Sequence, residues 1–129
     1  MAANQILDPL SLSTLKTIEL FNEAVNQHNL DRTMEMMTEN CVFDNTYPPP
    51  DGEKFVGQTR VRAFSKKFFE TSRQAHFGFE ETFASGERGF VRWLCRWENS
   101  DGTTGHIRGV DIFTIKAGKV AEKFSYVKG

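Results

Sequence analysis

The chain has 129 residues, with 16 Lys and Arg against 17 Asp and Glu and a formal net charge of −1. That length suits one domain, 1–129, with a single core, and 39% hydrophobic with 26% charged residues is the composition of a globular protein rather than a disordered or membrane chain. A nearly neutral chain creates no long-range field toward phosphates or anionic lipid, so neither nucleic acid nor a membrane is expected as a partner.

The opening segment, Met1 to Pro9, has neither a basic start nor an apolar run and does not read as a secretory signal. No stretch is long and apolar enough to cross a bilayer, and a cytoplasmic location is expected. Leu15, Ile18, Phe21, Val25 and His28 recur at helical spacing after Asp8-Pro9 or Ser13, which predicts a long first helix. Asn29 is placed to cap a short second helix reaching about Thr38, with Leu30, Met34 and Met37 on its apolar stripe. Cys41 to Asn45 reads as a short strand. Pro48-Pro49-Pro50-Asp51-Gly52 lacks three successive backbone donors and predicts a stiff surface loop that, directly following this strand, borders the mouth of any pocket there. Val61, Phe64 and Phe68 share one face of a third helix between Gly57 and about Ser72.

From there the apolar period changes from 3.6 to 2. Phe77, Phe79 and Phe83, then Val91, Trp93, Cys95 and Trp97, alternate with other positions on two antiparallel strands joined at Ser85 to Gly89. Asn99 to Gly102 turns into a strand from about Thr104 to Lys116, and Ala117-Gly118 makes a tight hairpin into Val120 to Val127. Helices grouped first and a four-strand meander last define an α+β fold in which the helices cover one face of the sheet. Cys41 and Cys95 are the only cysteines; both are flanked by apolar residues and read as reduced core thiols. His28, His76 and His106 form no metal-ligand spacing, so no metal is expected, and no cofactor motif is visible.

This order of elements, with Asn26-Gln27-His28-Asn29-Leu30-Asp31, Val42-Phe43-Asp44, Gly57-Gln58-Thr59-Arg60-Val61, Gly109-Val110-Asp111-Ile112-Phe113 and Gly118-Lys119-Val120, resembles the nuclear-transport-factor-2-like superfamily, and within it the SnoaL-like branch. The resemblance covers nearly the whole chain. It implies a cone: a strongly curved antiparallel sheet wrapped around the long N-terminal helix, with a pocket between them and, in many members, a homodimer through the outer face of the sheet. The superfamily holds isomerases, cyclases, dehydratases, epoxide hydrolases and proteins without known activity, so the fold leaves the reaction open.

By resemblance to ketosteroid isomerase, Asp44 falls at the position of the proton-shuttling base; as a residue it equally suits a turn at a strand end. Asp111 matches the isomerase's protonated oxyanion-hole aspartate. Alternation sets it on a face with Ile107, Gly109, Phe113 and Ile115, where an enclosed carboxyl is expected to stay protonated and an Asp111→Asn variant to be at least as stable as the parent. The other reading is a buried acid satisfied by a partner, although Arg108 and His106 lie on the opposite face. Two departures from the family pattern stand out. Phe21 occupies the isomerase's tyrosine position and has no hydroxyl, while Ser125 and Asp111 fall where the SnoaL cyclase has its acid/base aspartate and partner histidine.

His28 either faces the pocket or caps the first helix. Trp93 and Trp97 belong to a dimer interface or to the core, the interface being the first choice. Tyr126 brings a hydroxyl to the pocket or buries its ring. Phe21, Phe113, Tyr126 and His28 are the expected pocket residues, with Asp44 and Asp111 as the catalytic pair. Together they suggest a cofactor-independent isomerase, cyclase or lyase acting on a small hydrophobic carbonyl compound, or else a binding module for an apolar ligand without chemistry.

Overall fold

The computed structural model describes residues 7–72 and 74–129; Met1 to Ile6, most of the segment read for a signal, lie outside them. Helix α1 (Pro9–Asn26) begins where Asp8 accepts from the Ser11 backbone N–H and from its hydroxyl, both at 2.9 Å, with Pro9 entering the first turn. It is capped at Gln27 and followed by His28, whose φ of 53° is the left-handed conformation that stops a helix. Helix α2 (Leu30–Glu35) is capped by Asn29, which accepts from Arg32 N–H at 3.1 Å. It is shorter than the sequence predicts, because Met37 already belongs to strand β1 (Met37–Asp44). After the exposed Pro-rich loop comes β2 (Lys54–Val56), which three residues are too few to announce by alternation. Helix α3 (Gln58–Thr71) follows, then β3 (His76–Ser85), β4 (Arg88–Glu98), β5 (Thr104–Lys116) and β6 (Lys119–Val127).

The six strands form one sheet in the order β2-β1-β6-β5-β4-β3. The sheet is mixed rather than wholly antiparallel as the sequence suggested: β1 runs parallel to β6, with Phe43 beside Lys123 and Asp44 beside Phe124. The remaining pairs are antiparallel. Ile18 and Phe21 of α1 pack with Val91, Phe113, Ile115 and Val120 in the core, which also takes in Met34, Cys41 and Val61. Each such buried side chain contributes about 1.5–3 kcal/mol of transfer free energy.

Polar side chains fix the helices to the sheet. Asn26 acts as a strand partner, donating to Phe77 O at 2.8 Å and accepting from Phe77 N–H at 3.0 Å. At the other end of α1, Thr14 donates to Gly86 O at 2.6 Å and Ser11 accepts from Gly86 N–H at 2.7 Å. The Gln58 amide donates to the carbonyls of Met34, Met37 and Thr38 at 3.0, 3.0 and 3.1 Å, joining α3 to the α2–β1 corner.

One irregularity decides what β6 shows to each side. Thr114 faces Glu122 while Ile115 faces Val120, so Ala121 is an extra residue on β6, a β-bulge. Strict alternation from buried Val120 would turn Glu122, Phe124 and Tyr126 inward. With the bulge, Lys123, Ser125 and Val127 turn inward instead.

Candidate functional site

A cavity of about 870 Å³ opens between α1, α3 and the sheet. Its walls are aromatic: Phe21 from α1, Phe64 and Phe68 from α3, Phe43 from β1, and Trp93 and Trp97 from β4. The rings interlock. Phe43 meets Phe64 edge-on at 5.0 Å between centroids, and Phe77 meets Trp93 edge-on at 5.2 Å. Both tryptophans oppose a glycine of β5, Trp93 on Gly109 and Trp97 on Gly105, and their indoles occupy the space that a Cβ there would take. Polar residues of the α3–β3 and β4–β5 connections, among them Ser72, Gln74, Asn99 and Ser100, also border the cavity.

The sequence placed Trp93 and Trp97 first at a dimer interface. They line the cavity, and Trp93 is 5% exposed. Phe21 lines it too, while Phe113 lies beyond it in the core, fully buried and edge-on to Phe21 at 5.9 Å. Tyr126 is 56% exposed and outside the lining because of the bulge. His28 stacks its ring on Phe69 at 5.1 Å and lies outside the lining as well. Asp44 does not reach the cavity: Phe43 and Asn45 line it, so alternation sends Asp44, with Val42, to the other face of β1. The two carboxylates therefore do not converge. The lining from this segment stops at Thr46, so the Pro48–Gly52 loop does not border the cavity.

Asp111 lines the cavity and is 4% exposed, but it is not the solitary acid that alternation suggested. Ser125, directly opposite on β6, donates its hydroxyl to Asp111 Oδ1 at 2.7 Å. Lys123 places its ammonium 3.6 Å from Oδ2, with the two side chains 11% and 5% exposed. The same ammonium lies 4.5 Å from the Phe43 ring centroid and 5.8 Å from that of Phe21. Asp111 thus carries a cation on one oxygen and a hydroxyl on the other, in a mostly aromatic enclosure. Lys123 is the residue that sequence reasoning missed. Its signal was its place two residues before Ser125, already matched with a cyclase's catalytic aspartate, which puts both on one strand face and makes Lys123 a diagonal neighbour of Asp111.

Cys95 also lines the cavity, and burial pushes its thiol, like that of Cys41, above the ordinary value of 9.0. The native state thus holds these protons longer than the unfolded chain. Their contribution to stability is complete below the unfolded value and declines as pH rises through the native one. We expect both thiols to resist iodoacetamide at neutral pH in the native protein and to react promptly in denaturant. Rapid native labelling of Cys95 would contradict its enclosure. Among the described residues no three His, Cys, Asp or Glu side chains are grouped to hold a metal, and no helix is long and apolar enough to cross a membrane.

A curved mixed sheet, a long helix against it and an aromatic cavity between them define a nuclear-transport-factor-2-like α+β fold. The chain belongs to the SnoaL-like domain family, whose pattern matches residues 18–123. It is similar over 96% of its length, and 98% of the other's, to an NTF2-like protein of unknown function from Mesorhizobium loti, at 31% identity and a TM-score of 0.79. At lower identity it shares its fold with an LEH-like epoxide hydrolase of M. tuberculosis (12% identity, 93% and 86% of the chains covered, TM-score 0.75). It also shares it with SalBIII, an epoxide hydrolase/cyclase-like enzyme with a role in pyran ring formation in the polyether salinomycin (19%, 91% and 92%, TM-score 0.78). No curated protein matches the sequence significantly.

Proposed function

We propose that the cavity takes a small, largely apolar carbonyl compound and moves a proton on it without a cofactor, as an isomerase, cyclase or lyase does. The observation that carries this reading is the Asp111–Lys123 pair enclosed by aromatic rings on the cavity wall. Aromatic walls bind apolar surface without choosing an orientation, and a few polar groups at one point supply it. A ligand oxygen drawn to the Lys123 ammonium brings its adjacent carbon toward Asp111, the carboxylate able to accept a proton there. Lys123 then offsets the negative charge that develops on the oxygen, in the role that a donor in an oxyanion hole has. Asp44 has no part in this scheme.

The test is proton exchange in heavy water. With 2-tetralone as probe, the protein should accelerate loss of the proton signal next to the carbonyl, and Asp111→Asn should reduce that acceleration about 100-fold or more. If the probe quenches the Trp93 and Trp97 fluorescence but exchanges at the rate of buffer alone, the non-catalytic binding module is the correct reading.

A homodimer is part of the same proposal, on different residues from those the sequence suggested. The face of the sheet opposite the cavity carries Tyr126, 56% exposed, beside half-buried Val110, Ile112 and Phe124. Light scattering at micromolar concentration should give twice 14.7 kDa, and Tyr126→Glu should shift the protein toward monomer. A monomeric parent refutes it.

A further inference from the structure

We infer that Lys123 is a covalent capture site: its amine condenses with an aldehyde or unhindered ketone in the cavity to form an imine. This rests on the cavity being a carbonyl-binding site and goes beyond it by assigning a bond. Lys123 is the only Lys or Arg among the described lining residues. Its side chain is 11% exposed, so the amine meets molecules in the cavity rather than bulk solvent.

Three features of the geometry suit the reaction. The first is a proton acceptor at hand, since Asp111 Oδ2, 3.6 Å away, is positioned to take one ammonium proton and free the nitrogen lone pair. The second is charge balance. The lone pair attacks the carbonyl carbon as the carbonyl π electrons move to oxygen, and the proton held by Asp111 passes to that oxygen. A second proton from nitrogen, relayed through the same carboxylate, lets it leave as water. The lysine ammonium and the carbonyl compound thereby become a protonated imine, the iminium, and one molecule of water. The product carries the same single positive charge, so Asp111 remains its counter-ion and no charge is stranded in the enclosure. The third feature is the Phe43 face 4.5 Å from the nitrogen, which attracts ammonium and iminium alike. Ser125, donating to Oδ1 at 2.7 Å, keeps the other carboxylate oxygen occupied and Oδ2 turned to Lys123.

The experiment uses 2-naphthaldehyde with sodium cyanoborohydride, which reduces an imine to a stable secondary amine, followed by peptide mass spectrometry. Lys123 should be labelled roughly tenfold faster or more than any exposed lysine, because a bound aldehyde is held beside the amine. Lys123→Arg keeps the cation beside Asp111 but has no condensing amine. It should lose this label and keep labelling at the surface lysines; cavity binding is read separately on the parent, as quenching of its tryptophans by 2-naphthol, which binds without a carbonyl. Uniform labelling of exposed lysines with Lys123 untouched overturns the inference. If 2-naphthol still quenches in that case, the cavity remains a binding site and only the covalent step is lost. If it does not, the carbonyl-pocket reading falls with it.

Discussion

Asp111→Asn is expected to lower the stability of the native protein by about 3 kcal/mol, read as a fall in the urea midpoint at unchanged slope. The amide preserves the shape of the aspartate and can still accept from Ser125. It cannot neutralise Lys123, whose ammonium lies 3.6 Å from Oδ2 with its side chain 11% exposed. An isolated charge so placed must draw water into the cavity, shed its proton or swing outward, and each course costs part of the packing with Phe43 and Phe21. Replacing both partners by apolar residues of similar volume, Asp111→Leu with Lys123→Met, should therefore be less harmful than the acid substitution alone, within about 1 kcal/mol of the parent. The cycle closed with the single variants Asp111→Leu and Lys123→Met isolates the pair's coupling. An Asp111→Asn protein as stable as its parent would mean that the ion pair is not formed in solution.

The sequence taken alone suggests the opposite outcome for this variant, and the reason lies in the bulge. Alternation along β5 correctly places Asp111 beside Ile107 and Phe113 and away from Arg108 and His106. The partner comes from β6, where one extra residue, Ala121, reverses the facing of everything after it. A bulge has no composition signature here, so alternation from Val120 turns Tyr126 inward and Lys123 outward. The elements themselves were legible because their signals are local: a helix start at Asp8-Pro9 or Ser13, of which the structure takes the first, the Asn29 cap, the change of period after α3, and the Ala117-Gly118 turn. Strand β2 was not, being three residues beside prolines. The parallel pairing of β1 with β6 was not legible either, since it joins residues far apart in the chain, such as Phe43 and Lys123. For Asp44 the family pattern proposed a role, while the register of β1 sets Phe43 toward the cavity in its place.

Gly109→Ala should be the most damaging glycine-to-alanine change in the sheet. A Cβ at position 109 would overlap Trp93 Cζ2 and stand 2.5 Å from the backbone carbonyl oxygen of Tyr126. The indole can move only into the cavity, and the carbonyl belongs to the β5–β6 ladder and cannot yield without breaking it. We expect a loss of about 2–3 kcal/mol and a red shift of tryptophan emission as Trp93 leaves its bed. Trp93 Nε1 has no hydrogen-bond partner among the described residues, so packing alone holds the ring. Gly105→Ala is the control. Its Cβ would approach Trp97 at 2.5 Å, but only side-chain atoms are in the way, and that indole is half-buried at a strand end and free to tilt. The cost there should stay below about 1 kcal/mol. Equal destabilisation by the two alanines would show that the Tyr126 carbonyl adds nothing to the cost.

The extra residue at Ala121 also gives β6 a unit of slack between the hairpin and the cavity. Were it lost, Glu122 would take the next place after Val120, the pairing with β5 would become regular, and Lys123 and Ser125 would keep both their faces and their partners. A single-residue deletion is thus absorbed at this point of the strand, although indels are ordinarily tolerated only in loops. Downstream there is no such reserve: with the bulge retained, loss of Phe124 would set the phenol of Tyr126 opposite Asp111 in place of the Ser125 hydroxyl, by the period-2 geometry of the strand. Two relatives can therefore carry the same amine and hydroxyl at different counts from the hairpin, or different groups at the same count. In comparing such chains, what a residue faces across the ladder is the better guide to its chemistry than how far it stands from the turn.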